Sequence, residues 1–168
     1  EKMKPNSRKE AYKIQEQIEI ISENKLLGWK IAATSKDGQN HIGVSGPLAG
    51  RIFKNKAKNP NSNLILGSNQ MAVAEPEFAF KIGTAIKPNK LYYTVQEVME
   101  LVETLHLAIE LPDSRFNNFS SVGELILIAD NACADQFVIS KPVELDWKDI
   151  DFSNHQVSIS NSKFSHQG

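Results

Sequence analysis

Two carboxylates in an apolar setting are the first residues of this sequence that could do chemistry. In Val73-Ala74-Glu75-Pro76-Glu77-Phe78-Ala79-Phe80, Glu75 and Glu77 stand among alanine, valine and phenylalanine. A run of this composition reads as a buried strand. Strand side chains alternate between faces, so the two acids point the same way. Like charges held side by side away from water are costly unless something positive lies between them. A divalent cation meets that need. Pro76, between the acids, cannot donate to a ladder, which predicts an edge strand or a bulge with room for an ion and a ligand. Alone, a Glu-x-Glu pair on a strand is more often a solvated face; the apolar flanks favour the site.

Leu107-Ala108-Ile109-Glu110-Leu111 repeats the anomaly, with one acid among aliphatics, and Pro112 stops it. Three carboxylates converging from two strands make an all-oxygen donor set, suited to a hard cation such as Mg2+ or Mn2+. Without nitrogen or sulfur in the set, zinc is disfavoured. Lys30 is embedded in Trp29-Lys30-Ile31-Ala32-Ala33-Thr34, which reads as a strand. Snorkelling from a strand end is the commoner fate of such a lysine. The functional reading is a cation facing the same pocket as the acids. His106 reads as a helix-end or surface histidine rather than a ligand.

The elements that must position these residues follow from spacing. Tyr12, Ile14, Ile18, Ile21 and Leu26 predict a helix over 9–27, ended by Gly28. Residues 35–50 hold five turn-forming Gly and Pro residues and read as a loop, with a helical turn near Gly38–Ile42. The spacing is not that of a phosphate loop, which excludes nucleotide binding on this ground. Arg51-Ile52-Phe53 is a short strand, 54–63 a solvated loop and Leu64-Ile65-Leu66 a strand. Gly83 to Lys90 is a turn region. Thr94 and Glu97 have capping-box spacing, and Val95, Val98, Met99, Leu101, Val102 and Leu105 predict a helix ending near His106. A helix over 122–134, a strand over 136–140, a polar connection over 141–154 and a final hairpin from Gln156 complete the reading.

Bulk composition narrows the class. The 168 residues are 40% hydrophobic and 23% charged with net charge −1, which fits one globular domain. No basic excess is present to hold a phosphate backbone, so no nucleic-acid partner is expected. No apolar run approaches the roughly 20 residues that span a bilayer, so no membrane partner is expected. One cysteine, Cys133, excludes an internal disulfide and favours a reducing compartment. No secretory signal is visible, and both ends look cut from a longer chain.

Five blocks resemble the 2-keto-4-pentenoate hydratase group of the fumarylacetoacetate hydrolase superfamily. Gly28-Trp29-Lys30-Ile31-Ala32-Ala33-Thr34-Ser35 is similar to its G-[YW]-K-I-x-x-T-S segment, and His41 through Gly50 to its Gly-Pro loop. Glu75-Pro76-Glu77-Phe78-Ala79-Phe80 is similar to its E-x-E-x-A-F strand. Ile109 through Arg115 resembles its I-E-x-x-D-S-R block, and Ala129-Asp130-Asn131-Ala132 its A-D-N-A. The chain departs at Leu48, where some hydratases carry an acid, and at Cys133–Gln136, where many have serines and glycines.

The resemblance implies an α+β fold: a mixed β-roll of the fumarylacetoacetate hydrolase type with peripheral helices, incomplete at both ends. It divides the chain into an N-terminal helical segment, 1–27, and a β-roll catalytic domain, 28–168, lacking its C-terminal strands. It implies Mg2+ or Mn2+ held by Glu75, Glu77 and Glu110, with Lys30 catalytic and beside a 2-oxo acid substrate. Arg51 and Asn131 are weaker candidates for substrate binding; Asp113 and Arg115 fit a structural turn as well as a supporting role. The implied activity is a hydratase, a carbon–oxygen lyase, acting on a 2-hydroxy-dienoate or 2-oxo-enoate. A decarboxylase or hydrolase of related oxo acids, or a truncated metal-binding scaffold without turnover, are the alternatives. The resemblance also implies a cytoplasmic homo-oligomer, since members of the group are commonly oligomeric and cytoplasmic, many in aromatic-ring catabolism.

Overall fold

The computed structural model describes residues 4–86, 88 and 90–168. In chain order the regular elements are α1 (Arg8–Ser22), β1 (Leu26–Ala32), α2 (Lys36–Ile42), β2 (Leu48–Phe53), β3 (Ala57–Lys58) and β4 (Glu75–Ile82). They continue with α3 (Val95–Leu101), β5 (Val102–Leu111), α4 (Glu124–Ala129), β6 (Gln136–Pro142), β7 (Ser158–Ser160) and β8 (Ser165–Gln167). The protein is thus mixed α and β, with three sheets among the described residues: β1-β2, the four-stranded β3-β6-β5-β4, and β7-β8. No described helix is long and apolar enough to cross a membrane.

Two compact units are present. One comprises the chain up to Glu75 together with Glu110–Val138. Its core joins Ala11, Leu48, Leu127, Ile128, Ala132 and Cys133, with Tyr12, Ile42, Val44, Met71 and Phe119 packed around them. Helix α1 opens on Ser7, whose hydroxyl accepts from the Glu10 amide at 3.2 Å. It closes at Glu23, in the left-handed region at φ 54°. Gln15, wholly buried, donates to the carbonyls of Ala49 (2.9 Å) and Ile128 (2.8 Å), tying α1 to β2 and α4. Buried amides are placed only where such partners exist. Glu124, at the start of α4, pairs with Arg8 and accepts from the Ser45 amide (2.9 Å) and hydroxyl (3.1 Å).

The other unit comprises Pro76–Ile109 and Ile139–Gly168. Val102, Leu105 and Trp147 form its core, backed by Phe78, Met99, Val143, Ile150 and Phe152. Phe78 and Phe152 meet edge-on at 4.9 Å between centroids. The expected capping box is present at α3: the Thr94 hydroxyl accepts from the Glu97 amide, and the Glu97 carboxylate accepts from the Thr94 amide. The Lys90 ammonium, then the Thr94 amide and hydroxyl, hold the Glu97 carboxyl down to about 2. The hairpin β7-β8 also matches the expectation from the alternation around Ser158 and the Asn161-Ser162 turn.

Several boundaries differ from the sequence reading. The first helix stops at Ser22, because Leu26–Ala32 find an antiparallel ladder with β2. Gly28 is no helix stop; it lies inside β1 next to a register shift, with Leu26 opposite Phe53 but Gly28 opposite Ile52. The helix expected to end near His106 is α3, which ends at Leu101, and 102–111 form β5, flanked by β4 and β6. Val102 and Leu105 fit either period; Val102, Thr104 and Ile109 suit the pleated surface, and the ladder decides. His106 is therefore a buried strand residue, its ring nitrogens 2.9 Å from the Thr104 hydroxyl and the Ser140 carbonyl. Leu64–Leu66 form no strand, whereas Ala57–Lys58, inside the expected loop, pair in parallel with β6. The helix expected over 122–134 contracts to α4. Finally, β4 is an edge strand, as Pro76 predicted, and therefore not buried: Pro76, Glu77 and Phe80 are exposed.

Glu124 offers a test of this packing. Burial opposes its ionisation, but the Ser45 amide and hydroxyl and Arg8 outweigh it and hold the carboxyl below its ordinary 4.5. A folded-state value below the unfolded one stabilises the fold above the unfolded value, and that contribution is lost as pH falls through the folded one. The melting temperature of Glu124→Gln should therefore fall below the parent's at pH 7 and converge with it on acidification below about pH 4. Thermal melts of both proteins across pH 7 to 3 measure this.

Candidate functional site

The acids meet on neighbouring strands. Glu110 lies on β5 and is almost wholly buried, while Glu75 opens β4 at the sheet edge and is half-buried. Glu77 follows two residues along the same strand, on the same side by strand periodicity, and is exposed. Each of the three offers a carboxylate oxygen, and these lie within 4.8 Å of one another. All donors are oxygen, and the spacing is short enough for one ion to bridge them, so a divalent cation fits.

Lys30 comes from β1, where alternate residues turn inward. Its Nζ is 3.3 Å from Glu110 Oε1, and only 10% of its side chain is exposed. Gly50 faces Lys30 across the β1-β2 ladder. A Cβ at Gly50 would lie 2.3 Å from the Asn131 carbonyl oxygen, 2.9 Å from the Ala134 methyl and 3.2 Å from Lys30 Cγ. The lysine thus reaches Glu110 over a residue that has no side chain to obstruct it.

Behind Gly50 is a tightly held turn. Asn131, Ala132 and Cys133 are three successive non-glycine residues in the left-handed region, at φ 60°, 49° and 60°. That conformation costs about 1–2 kcal/mol per residue and persists only where surroundings enforce it. The enforcing contacts are specific. Asn131 Oδ1 accepts from the Arg51 amide at 2.7 Å, and its Nδ2 donates to the Arg51 carbonyl at 3.0 Å. Buried Asp130 accepts from the Ser114 hydroxyl (2.6 Å) and from Arg115 Nε (2.5 Å). The Asp113 amide donates to the Cys133 carbonyl at 2.9 Å. Burial pushes the Cys133 thiol up to about 11 against the opposing charge of Lys30, so it stays protonated and non-nucleophilic at neutral pH.

The structure therefore gathers Glu75, Glu77, Glu110 and Lys30. It uses the side chain of Asn131 to pin β2 and turns that of Arg51 elsewhere. Arg51 pairs in register with Trp29, one position off Lys30, and its guanidinium stacks on the Trp29 ring at 4.6 Å. Arg115 and Asp113 hold the turn after β5, Arg115 on Asp130 and Asp113 Oδ1 accepting from the Gln70 amide at 2.9 Å. Gly50 was legible only as one glycine of a loop; its role needs the β1-β2 register. The clamp by Asp130 on Ser114 and Arg115 has a signal, two polar clusters flanked by apolar runs, but no spacing in the sequence pairs them.

Comparison with known proteins bears on this arrangement. No family model matches the chain. It is 30% identical over 153 residues to the TodF product hydratase of Pseudomonas putida, covering 89% of this chain and 54% of that one. It is 29% identical over 147 residues to the 2-keto-4-pentenoate hydratase of Paraburkholderia phymatum, covering 85% and 54%. The chain is related to the 2-keto-4-pentenoate hydratases. It is also 28% identical over 116 residues to a 4-oxalocrotonate decarboxylase of Pseudomonas sp., covering 68% and 43%. Its fold is similar to that of the 4-oxalocrotonate decarboxylase from Pseudomonas putida G7 solved with magnesium and adipate, at TM-score 0.65 and 20% identity, over 79% of this chain and 51% of that one. The chain spans about half the length of the curated relatives it matches, 54% of each hydratase.

Gly50→Ala tests the close approach. The added methyl meets backbone on one side and Lys30 on the other, so overpacking should cost about 3 kcal/mol, near the top of the usual range. Denaturant unfolding of the variant and the parent measures the difference; a loss below about 0.5 kcal/mol would mean that the turn and Lys30 yield freely.

Proposed function

We propose that this chain contributes the metal-binding half of a hydratase, a carbon–oxygen lyase acting on a 2-oxo-enoate or 2-hydroxy-dienoate such as 2-keto-4-pentenoate. The observation that carries the reading is the approach of three carboxylates within 4.8 Å, with a buried lysine ion-paired to the most buried of them. Glu75, Glu77 and Glu110 would hold Mg2+ or Mn2+. When bound, the ion supplies Lewis acidity and a template for a 2-oxo acid.

The chain's own residues account for the remainder. Lys30, fixed by Glu110 at one side and Gly50 beneath it, presents Nζ to the site as a positive partner for the substrate's carboxylate or enolate oxygen. The same atom is the group placed to carry a proton to or from the conjugated chain. Exposed Glu77 leaves one side of the site open, so that substrate can enter past the edge of β4. Asn131 acts through the backbone, holding β2 and hence Gly50 in place. In this reading residues 28–168 belong to a β-roll that acts as a cytoplasmic homo-oligomer. The second reading, an oxo-acid decarboxylase, is favoured by the likeness to the 4-oxalocrotonate decarboxylases. Released CO2 against an added hydroxyl distinguishes the two.

Calorimetry tests the site itself. Mg2+ should bind the parent chain, raise its melting temperature by mass action and bind at least about tenfold more weakly to Glu110→Gln. Unchanged affinity in that variant would remove the proposed ligand set. Lys30→Met should keep Mg2+ binding and lose turnover. It should also lower metal-free stability, by about 3–5 kcal/mol if Glu110 stays charged, as for other broken buried pairs.

A further inference from the structure

The β1-β2 ladder has two faces, and the proposed chemistry uses one. On the other, α1 and the ladder enclose an open groove of about 510 Å3 whose wall includes Lys9, Tyr12, Lys13, Glu16, Trp29 and Arg51. Every one of these residues lies in the first compact unit. Lys30 and Trp29 are adjacent in β1 and so face opposite ways, which separates this groove from the carboxylate cluster.

Three properties of the groove point to a ligand. First, its floor is an indole held flat. Trp29 is 49% exposed, yet it is stacked on the guanidinium of Arg51, itself 9% exposed and fastened by Nη1 to Gln15 Oε1 at 2.6 Å. A large ring left half in water but rigidly backed is a stacking surface. Second, its charge is positive. Lys9 and Lys13 stand one helical turn apart on α1, and among the described residues neither belongs to an ion pair. Arg51 is ion-paired to Glu19, 3.4 Å from its Nε, so the positive excess is that of Lys9 and Lys13 over Glu16 on the wall. The whole chain is at net −1, so this is a local concentration of positive charge. Third, a directional donor is present. The Tyr12 hydroxyl accepts from the Ala49 amide at 3.0 Å, which fixes the oxygen and leaves its proton to donate.

We propose that this groove binds a small aromatic carboxylate, its ring stacked on Trp29 and its carboxylate received by Lys13, Lys9 and the Tyr12 hydroxyl. Arg51 is a positioning residue: it backs the indole without needing to touch the ligand. The site is independent of the carboxylate cluster and of any metal there.

Benzoate is the probe. Tryptophan fluorescence and calorimetry should give saturable 1:1 binding, unchanged by chelating agent and unchanged in Glu110→Gln. Lys13→Gln, at an exposed position, and Trp29→Phe should each weaken it by about fivefold or more, as expected for loss of one charge-assisted or stacking contact. Acetate, lacking the ring, and benzyl alcohol, lacking the charge, should bind at least about fivefold more weakly than benzoate. Absence of saturable binding overturns the proposal. So does binding that survives both groove variants, or that Glu110→Gln or metal removal abolishes; the last result would move benzoate to the carboxylate cluster and leave the proposed function standing.

Discussion

A buried negative charge beside two others is the constraint around which the first compact unit of this protein is arranged. At an effective dielectric of 20, unit charges 4.8 Å apart repel by roughly 3 kcal/mol. Glu110, almost wholly buried, adds the cost of losing its hydration. Lys30 is the cation the chain itself supplies, and several features serve its approach. Gly50 leaves its path open. Asn131 fixes Gly50's strand by holding the backbone of Arg51 on both its amide and its carbonyl. The left-handed turn that presents Asn131 is in turn gripped through Asp130, Ser114 and Arg115. Each contact is ordinary; their sequence runs from one electrostatic problem outward into the core.

The grouping of the three acids is more legible in the sequence than its surroundings. Two acids two apart in an apolar run, and a third in a second such run, carry their meaning locally, because strand periodicity alone assigns the first two to one side. Pro76 likewise announced an edge. The burial of β4 is not legible for a physical reason: apolar flanks say that a strand touches a core, but its number of neighbours is set by sheet order, which no local pattern encodes. The boundary of α3 failed similarly. Val102 and Leu105 satisfy a helical period and a pleated one, and the choice was made by partner strands distant in sequence. Gly50 and the Asn131–Cys133 turn were hidden for the same reason, since a close approach needs both of its sides.

The two faces of β1 divide the work of the strand. Lys30 turns toward the acids, while Leu27, Trp29 and Ile31 turn outward and are each about half exposed, at 49%, 49% and 50%. Rigidity needed on one face is available to the other. The Arg51 that stacks on Trp29 is the same residue whose peptide groups Asn131 pins, so the indole and the lysine are referenced to one piece of backbone.

The register shift near the start of β1 decides which residue the lysine meets. With Leu26 opposite Phe53 and an uninterrupted ladder, Lys30 would stand across from Ala49; the shift places it across from Gly50 instead. One surplus residue thus sets the phase of the strand. Were the same residues to run as a straight ladder from Leu26, composition, charge and hydrophobic pattern would be unchanged, yet Ala49 would bring a methyl group under the ammonium-bearing chain and Gly50 would lie under the indole.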